Sequence, residues 1–461
     1  MEERILGRRD FLKIGATVAA AGVLAACAPK VVEKVVKETV IVEKIVKEAA
    51  PERVEIEWWP GWPGPYMLSI AKLFEDANPD IKLKVVSMYP EKQVVLAAVA
   101  ADTVPALIAD VPYMELIVRD VFLPIDDRLA QIPEIGPKGG DIPDELWNVF
   151  QWEGKFFGVP SVDTAGREGM GINTRMAEEA GLDWTKPPRS WDDAFAWHQA
   201  MTSYDDAGNL VTLGFDPMAE RTDACTDGDP FMWPHMWGYK YIDNNVFDID
   251  RAETVEYFEV IRRFAQDVGV EKVSGLNTAF AGTSRGPFGQ GKVGMRITYP
   301  SGPKGVYTVN PKDKCVFTWV PMPANRAHIT MQTAGGHAGM IMKNTKYADE
   351  AFKLAVFLTG NEACDILFND IGWIGPRKSW QQQMDQERFP EHVMDSINWF
   401  TSSMDNADEV WWNTDPIEGI TANEWTRAFQ AVQHGDITPA EAAQQMQENL
   451  TEEITKMMEA R

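Results

Sequence analysis

Residues 54–77 fix the start of the fold, because a strand pattern, a loop and a helix pattern follow one another directly. The segment VEIEW (54–58) alternates apolar and acidic side chains and predicts a strand. A Pro/Gly loop with Trp59 and Trp62 follows, and residues 66–77 have the apolar spacing of a helix. Ligands of open α/β sheets lie outside the carboxyl ends of the strands. We therefore expect Trp59 and Trp62 at a ligand site; the alternative is that either ring packs in the core.

The composition is that of a globular protein, with 461 residues, 45% of them hydrophobic and 25% charged. This length is enough for two or three domains. The formal charge is -25, and the sequence has no basic cluster of the kind that binds nucleic acid, so we exclude nucleic acid as a partner. The four cysteines and six histidines lack metal-binding spacing, and we expect no metal and no cofactor. The 17 tryptophans favour stacking on sugar or aromatic faces, besides core packing.

The N-terminus predicts export and lipid attachment. Residues 1–26 form a twin-arginine-type lipoprotein signal peptide, in which Arg8 and Arg9 precede a short apolar run. That run is too short for a stable transmembrane helix. The sequence Leu-Ala-Ala-Cys ending at Cys27 is typical of a bacterial lipobox, so we expect cleavage before Cys27 and its lipidation.

Residues 27–52 predict a spacer between the lipidated cysteine and the folded body. Within it, the ten-residue unit VVEKVVKETV is followed by the similar unit IVEKIVKEAA. Its Val and Ile content lowers helix propensity, so an extended stalk and a helix both remain open. A self-associating helix is the alternative interpretation.

Strand and helix patterns continue to alternate after residue 77, which is typical of α/β layers. Residues 82–87 predict a strand and residues 93–101 a helix. Residues 105–110 predict a short buried strand that ends in a carboxylate, Asp110. Residues 122–127 predict a turn into another helix.

A series of short motifs resembles bacterial extracellular solute-binding proteins of the sugar ABC transporter class, such as the maltose-binding and multiple-sugar-binding proteins. The resemblance covers residues 53–461, and the order of the motifs carries it. The motifs are FEDANPDIKLKV (74–85), LPIDD (123–127), GKFFGVP (154–160), GINT (171–174), PPRSWDD (187–193), GQGKVGMRI (289–297), GGHAGMI (335–341) and GPRK (375–378).

The resemblance implies an α/β fold of the two-lobed periplasmic-binding-protein type, with a ligand cleft between the lobes and a hinge of crossing segments. The crossings are expected near residues 163–167, near residues 333–336 and after residue 378. The expected division gives residues 53–164 and 334–380 to lobe 1, and residues 165–333 and 381–461 to lobe 2.

The resemblance also implies acidic ligand-binding residues. Asp110 ends a strand that faces the cleft, and Asp163 stands where maltose-binding proteins place an acidic residue between the lobes. Asp229, with Phe231 and Trp233, resembles the acidic-aromatic patch of the second lobe. Carboxylates hydrogen-bond sugar hydroxyls well, although a single Asp is more often a cap or a surface residue.

The aromatic positions depart from the family pattern. Tyr299 begins the Tyr-Pro-Ser segment where relatives carry a stacking Trp, and His337 stands where many relatives have Trp. Ala422 occupies a third such position. Other rings are candidates to replace the lost platforms, with core packing as the alternative for each. These are Trp233, Trp237, Trp373, Trp411 and Trp412.

The resemblance implies a function in solute import. We expect an extracytoplasmic protein, anchored to the cell membrane by its N-terminal lipid, that captures an oligosaccharide and delivers it to the permease subunits of an ABC importer. The body is expected to be monomeric and to have no catalytic residue. One alternative is a non-sugar solute. The other is a secreted carbohydrate-active enzyme, because glycosidases also pair carboxylates beside aromatic platforms.

Overall fold

The computed structural model describes residues 53–62, 64–161, 163–218, 229–283 and 285–459, and describes the backbone alone for residues 229 and 230. The predicted signal peptide (residues 1–26) and the predicted spacer (residues 27–52) with Cys27 lie outside the described residues.

Strands alternate with helices along the described chain. The strands are β1 (Val54–Trp59), β2 (Ile81–Val85), β3 (Leu107–Ile108), β4 (Gln151–Trp152), β5 (Lys155–Phe156), β6 (Gly158–Pro160), β7 (Ala165–Gly166), β8 (Gly169–Asn173), β9 (Ser203–Tyr204), β10 (Leu210–Phe215), β11 (Ile242–Asp243), β12 (Val246–Phe247), β13 (Val293–Thr298), β14 (Cys315–Thr318), β15 (Met331–Gly335), β16 (Ala338–Ile341) and β17 (Glu409–Trp411).

The helices are of very different lengths, and a 3-10 turn at Ala324–Arg326 adds to them. They are α1 (Pro65–Ala77), α2 (Lys92–Ala100), α3 (Tyr113–Val118), α4 (Asp126–Leu129), α5 (Asp144–Asn148), α6 (Thr174–Glu179), α7 (Trp191–Met201), α8 (Asp229–Met236), α9 (Ala252–Val268), α10 (Val270–Ala279), α11 (Gly286–Gly289), α12 (Gly302–Val309), α13 (Ala348–Phe357), α14 (Asn361–Ile371), α15 (Lys378–Gln383), α16 (Glu391–Ser403), α17 (Glu418–His434) and α18 (Pro439–Glu459).

The first sheet has the strand order β2-β1-β3-β16-β6. Strand β1 runs parallel to β2 and β3, and β16 runs antiparallel to β3 and β6. The opening prediction of a strand followed by a helix is confirmed. Helix α1 begins with Pro65 in its first turn, where a missing N–H costs nothing, and it buries Met67, Ile70, Ala71 and Phe74.

The second sheet has the strand order β14-β8-β13-β10-β9. Strands β10 and β13 are parallel, while β8 is antiparallel to both β13 and β14. Helix α7 packs on β10, and its N-terminus carries a capping box between Ser190 and Asp193. The parallel pair matters for function, because the carboxyl ends of β10 and β13 lie at one edge.

A small third sheet, with the order β17-β15-β7, joins the other two. Strand β7 lies in the chain between β6 of the first sheet and β8 of the second, and β15 lies between β14 of the second and β16 of the first. These two connecting strands pair antiparallel, with Ala334 opposite Gly166 and Gly335 opposite Ala165. Two connections between the sheets therefore run side by side. The residue-level division into lobes stays a prediction.

Candidate functional site

The first wall of the candidate site lies at the carboxyl ends of β1 and β3. The loop after β1 carries Trp62, and Asp110 follows β3. Gly61, the residue before Trp62, adopts a φ of +84°, and a Cβ there would lie 2.3 Å from the Cβ of Asp110. Only glycine allows this backbone to pass so close to Asp110. The sequence therefore places Trp62 and Asp110 side by side.

Three rings, which we call the aromatic wall, meet at this edge: Trp62, His337 and Trp373. The ring centroids of Trp62 and His337 are 4.1 Å apart, and those of Trp62 and Trp373 are 4.6 Å apart, both edge to face. His337 and Trp373 are 5.3 Å apart. Trp62 and His337 are each 5% exposed, whereas Trp373 is half-buried. Three of the predicted site residues are thus brought together.

The backbone of His337 is held by the segment that crosses between the sheets. Its carbonyl oxygen accepts hydrogen bonds from the N–H of Ser161 at 2.8 Å, from Ser161 Oγ at 3.0 Å and from Thr164 Oγ1 at 2.8 Å. The preceding residue, Gly336, has a φ of +131°, and a Cβ there would lie 2.3 Å from the carbonyl oxygen of Asp163. The position of the His337 ring is therefore fixed by close backbone packing.

The imidazole of His337 is neutral in this environment. Burial lowers its pKa well below the ordinary value, and the positive charge of Arg167 lowers it further. Its Nδ1 lies 3.8 Å from Oδ1 of Asp110. A neutral imidazole can donate through one ring nitrogen and accept through the other, so His337 adds a polar group to an otherwise apolar wall.

A buried ion pair between Asp163 and Arg167 lies next to the Gly336–His337 segment of the aromatic wall. The guanidinium Nη1 of Arg167 donates to Oδ2 of Asp163 at 2.9 Å and to its carbonyl oxygen at 3.1 Å. Both residues are 3% exposed. The guanidinium carbon also lies 5.0 Å from the ring centroid of Tyr299, a cation–π distance. Tyr299 follows β13, so it belongs to the carboxyl edge of the second sheet.

Asp110 and Asp163 share an unusual backbone. Their φ angles are 55° and 53°, in the left-handed region that non-glycine residues seldom adopt. Such conformations cost of order 1–3 kcal/mol and cluster at functional sites. The two acidic residues predicted from the sequence are thus also two of the conformationally unusual positions of the chain.

Several predicted site residues lie elsewhere. Trp233 is fully buried and stacks on Trp191 with centroids 4.9 Å apart, in the core of the second sheet. Trp59 is 7% exposed and packs with Ile108 and Met340, and its Nε1 donates to Oε1 of Glu57 at 2.6 Å. Both rings pack among core side chains, an environment that large aromatic residues favour. Trp237, 7% exposed, lies in the same core as Trp233.

The remaining predicted residues lie on or directly after a strand of the third sheet, or have side chains that the structure does not describe. Trp411 ends β17 and stacks on His235, with centroids 4.4 Å apart and planes 8° apart. Trp412 is half-buried against the core of the first sheet. Asp229 begins α8, and its side chain lies outside the description. The ligand-binding roles of Asp229 and Trp411 stay predictions.

A second polar cluster, which the sequence analysis missed, lies at the start of α17. Glu418 Oε1 accepts hydrogen bonds from the N–H groups of Met114 at 2.9 Å and Glu115 at 3.4 Å. Burial and the carboxylate of Asp415 raise the pKa of Glu418 to about 8, and burial raises the pKa of Asp415 to about 7. Asp415 is also within 3.4 Å of the Tyr241 hydroxyl. Contacts between positions so distant in the chain leave no local sequence signal.

A further contact spans the two sheets' helices near the aromatic wall. Lys304 of α12 donates through Nζ to the carbonyl oxygen of Asp370, at the end of α14. Gly372, with a φ of +79°, lies against the Lys304 stem, and a Cβ there would be 2.6 Å from the Lys304 Cβ. Helices beside the two sheets therefore touch at Lys304 and at Glu418.

No group of three His, Cys, Asp or Glu side chains is placed to hold a metal ion among the residues that the structure describes. Among the described helices, none combines the length and the apolar character needed to cross a membrane.

Comparisons with known proteins agree with this architecture. A family model described as "Bacterial extracellular solute-binding protein" matches residues 69–394. No curated protein matches the sequence. The structure of CpMnBP1 with mannobiose bound has a TM-score of 0.73 at 19% identity, and the match covers 87% of this chain and 100% of that one.

Two further solved structures extend the comparison. The maltose/maltodextrin-binding domain MalE from Bdellovibrio bacteriovorus, bound to maltotriose, matches at a TM-score of 0.65 and 13% identity, over 87% of this chain and 100% of that one. UgpB from Mycobacterium tuberculosis, in complex with glycerophosphocholine, matches at a TM-score of 0.66 and 15% identity. That match covers 89% of this chain and 100% of UgpB. These likenesses confirm the predicted two-lobed periplasmic-binding-protein fold.

Proposed function

The chain belongs to the bacterial extracellular solute-binding protein family, and from this premise we propose that it captures a carbohydrate, in the form of an oligosaccharide, between its two lobes. The aromatic wall, with the Asp163–Arg167 pair beside it, is the observation that carries the proposal. Sugars present apolar C–H faces and many hydroxyls, so they are recognised by aromatic rings together with planar polar groups. The site offers both.

The charge of the site favours a neutral ligand. Arg167 is a buried cation close enough to lower the pKa of His337, and its charge is balanced by Asp163 at 2.9 Å. A phosphate ester would have to compete with Asp163 for the guanidinium, and breaking a buried pair is costly. This arrangement favours an uncharged sugar over an anionic solute of the glycerophosphodiester kind.

Among the solved structures that resemble this chain, CpMnBP1 was determined with mannobiose and MalE with maltotriose. Both ligands are short oligosaccharides, and they support an oligosaccharide here as well. The family consists of binding proteins, so we propose capture without chemical turnover. Asp110 and Asp163 then act as hydrogen-bond acceptors.

We further propose that the protein works outside the cytoplasm, as a monomeric body, and hands its ligand to the permease subunits of an ABC importer. The twin-arginine-type signal, the lipobox ending at Cys27 and the spacer of residues 27–52 support attachment to the cell membrane through lipid. A tethered binding protein remains close to its permease, which raises the effective concentration of the binding protein at the permease.

A thermal-shift screen tests the proposal. The panel contains mannose, glucose, mannobiose, maltose and maltotriose, with glycerophosphocholine as the non-sugar arm. A ligand at 100 times its Kd should stabilise the protein by about 2.7 kcal/mol. Tryptophan fluorescence, followed in parallel with product analysis, should show quenching and no turnover. A response to glycerophosphocholine alone, or hydrolysis of a sugar, would contradict the proposal.

A further inference from the structure

A cavity of about 520 Å³ lies beside the second sheet, between helices α10 and α17, and it shares no described residue with the candidate site. The buried side chains of Phe215, Phe264 and Phe429 contribute apolar surface to it. Small-molecule sites usually measure about 300–1,000 Å³ and combine an apolar lining with a few polar groups. The cavity therefore has the dimensions of a small-ligand site.

The course of α17 separates this cavity from the contact between the helices of the two sheets. Glu418, at the start of α17, contacts α3 beside the first sheet. The cavity is lined by α17 from Thr426 to His434. Because a helix rises about 1.5 Å per residue, Thr426 lies about 12 Å and His434 about 24 Å from Glu418 along the axis. The cavity is thus a separate place within the half of the molecule that holds the second sheet.

Polar side chains from three elements line the cavity. The amides of Gln430 and Gln433 on α17, and the hydroxyl of Ser274 on α10, form no hydrogen bond with any residue that the structure describes. Nδ2 of Asn277 on α10 lies 3.4 Å from Oδ2 of Asp216, which directly follows β10. Amides and hydroxyls both donate and accept hydrogen bonds. These side chains can therefore bind several hydroxyl groups of one ligand.

The two charged groups of the lining, Asp216 and Arg296, offset each other. Burial raises the pKa of Asp216, and the nearby positive charge of the buried Arg296 opposes this rise. Oδ1 of Asp216 accepts a hydrogen bond from the N–H of Met218 at 3.0 Å. A carboxylate has about four acceptor positions, so Asp216 can accept further hydrogen bonds from a ligand. The lining favours a ligand that is polar but has no net charge.

We infer that this cavity is a second binding site, which takes an uncharged sugar of one or two units. The amides and the carboxylate bind sugar hydroxyls, while the apolar C–H groups of the sugar pack on the phenylalanine side chains. The inference goes beyond the proposed function, because the aromatic wall has no part in this site. Each of the two sites can therefore fail without the other.

Titration calorimetry with the five sugars of the panel tests the inference. At least one sugar should bind to the wild-type protein at the cavity. Ser274→Trp places a large ring at the cavity from an exposed position of α10, so it should abolish this binding event. Asn277→Leu removes an amide at similar volume and should weaken the same event about tenfold or more, because hydroxyls of the bound sugar lose their partner.

Two further variants serve as references. Gln444→Trp introduces the same ring at an exposed position of α18, outside the described lining, and should bind as the wild-type protein does. Trp373→Ala changes the half-buried ring of the aromatic wall and should leave binding at the cavity unchanged. Melting curves establish that each variant is folded.

The outcomes distinguish the inference from the proposed function. If every binding event of the wild-type protein persists in Ser274→Trp and Asn277→Leu, the cavity binds no sugar, and only the inference is overturned. If the events are lost in Ser274→Trp but persist in Trp373→Ala, the inference is supported and the aromatic wall is not a sugar site. If no sugar of the panel binds to the wild-type protein, both fail.

Discussion

Glu418 accepts a hydrogen bond from the backbone N–H of Met114 at 2.9 Å, and this bond joins α17, in the core of the second sheet, to α3, beside the first. The other carboxylate oxygen of Glu418 accepts from Nδ2 of Asn413 at 2.7 Å. Both oxygens of one side chain are therefore used at the boundary between the lobes.

Glu418→Ala should reduce the free energy of unfolding by about 1–3 kcal/mol, because the N–H of Met114 is left without its acceptor. Glu418→Gln keeps an acceptor oxygen and should lose less. Urea unfolding of both variants measures the difference. Equal loss in the two variants would mean that the accepting oxygen is not what stabilises this contact.

The raised pKa values of Asp415 (about 7) and Glu418 (about 8) predict that stability decreases with rising pH. In the unfolded chain these carboxyls have ordinary pKa values of 3.8 and 4.5, so the folded state binds more protons between those values and about 8. Their contribution is complete at acid pH and is lost as the pH rises through the folded pKa values. The carboxylate of Glu115, which Lys92 and Arg119 pair, faces the same cluster.

Unfolding free energies measured at several pH values between about 5 and 9 test this dependence. Glu418→Gln cannot ionise, so its stability should fall less steeply with pH than that of the wild-type protein. A slope identical to wild type would show that Glu418 has no part in the pH dependence.

Trp59 and Trp62 form a matched pair of nearly equal burial, 7% and 5% exposed. Either ring changed to Ala should leave a cavity and cost about 3–5 kcal/mol of stability. Only Trp62 belongs to the aromatic wall, so Trp62→Ala should also weaken sugar binding by about 1–3 kcal/mol. Titration calorimetry beside a melting curve separates the two effects. Equal affinity of both variants would move the site away from this wall.

Tyr113→Phe removes the hydroxyl that accepts hydrogen bonds from the N–H groups of Asp110 and Ala338. We expect a loss of about 1–3 kcal/mol of stability and weaker ligand binding, because two backbone donors lose their partner and the spacing of the site relaxes. Tyr347→Phe, at an exposed tyrosine, is the control for loss of a hydroxyl. The prediction fails if the two variants have the same affinity and the same stability.

Cys27→Ala should release the folded protein from the membrane without changing its ligand affinity. Stable attachment requires more than one acyl chain, and the lipobox is the predicted place of attachment. Cys225→Ala serves as the control. Membrane fractionation followed by ligand titration of the soluble fraction gives the answer, and a variant that remains firmly in the membrane fraction contradicts the lipoprotein proposal.

Local patterns predicted the first elements well. The strand predicted at residues 54–58 ends one residue later, at Trp59, and the helix expected at residues 66–77 begins one residue earlier, at Pro65. Alternation and helical spacing are set by burial on one face, and that information lies within a few neighbouring residues. The resemblance to a known family, and not the local pattern, supplied the expectation of two lobes.

The site was predicted less completely. Asp110, Asp163, Trp62, His337 and Trp373 come close together, but Trp233 and Trp59 have core environments that no local pattern distinguishes from a cleft. Arg167 was missed as a site residue, although it follows Asp163 by four positions. Its importance depends on Tyr299 and His337, which come from distant parts of the chain.

Strand β16 lies between β3 and β6 in the first sheet, although every strand of the second sheet precedes it in the chain. During synthesis, the first sheet therefore cannot be completed until every strand of the second sheet has been made. Until residues 338–341 emerge from the ribosome, β3 has an unpaired edge, which is a place where growing chains can associate wrongly. A chain that stops before residue 338 would lack β16, so a complete first sheet cannot be obtained by shortening the protein from its C-terminal end.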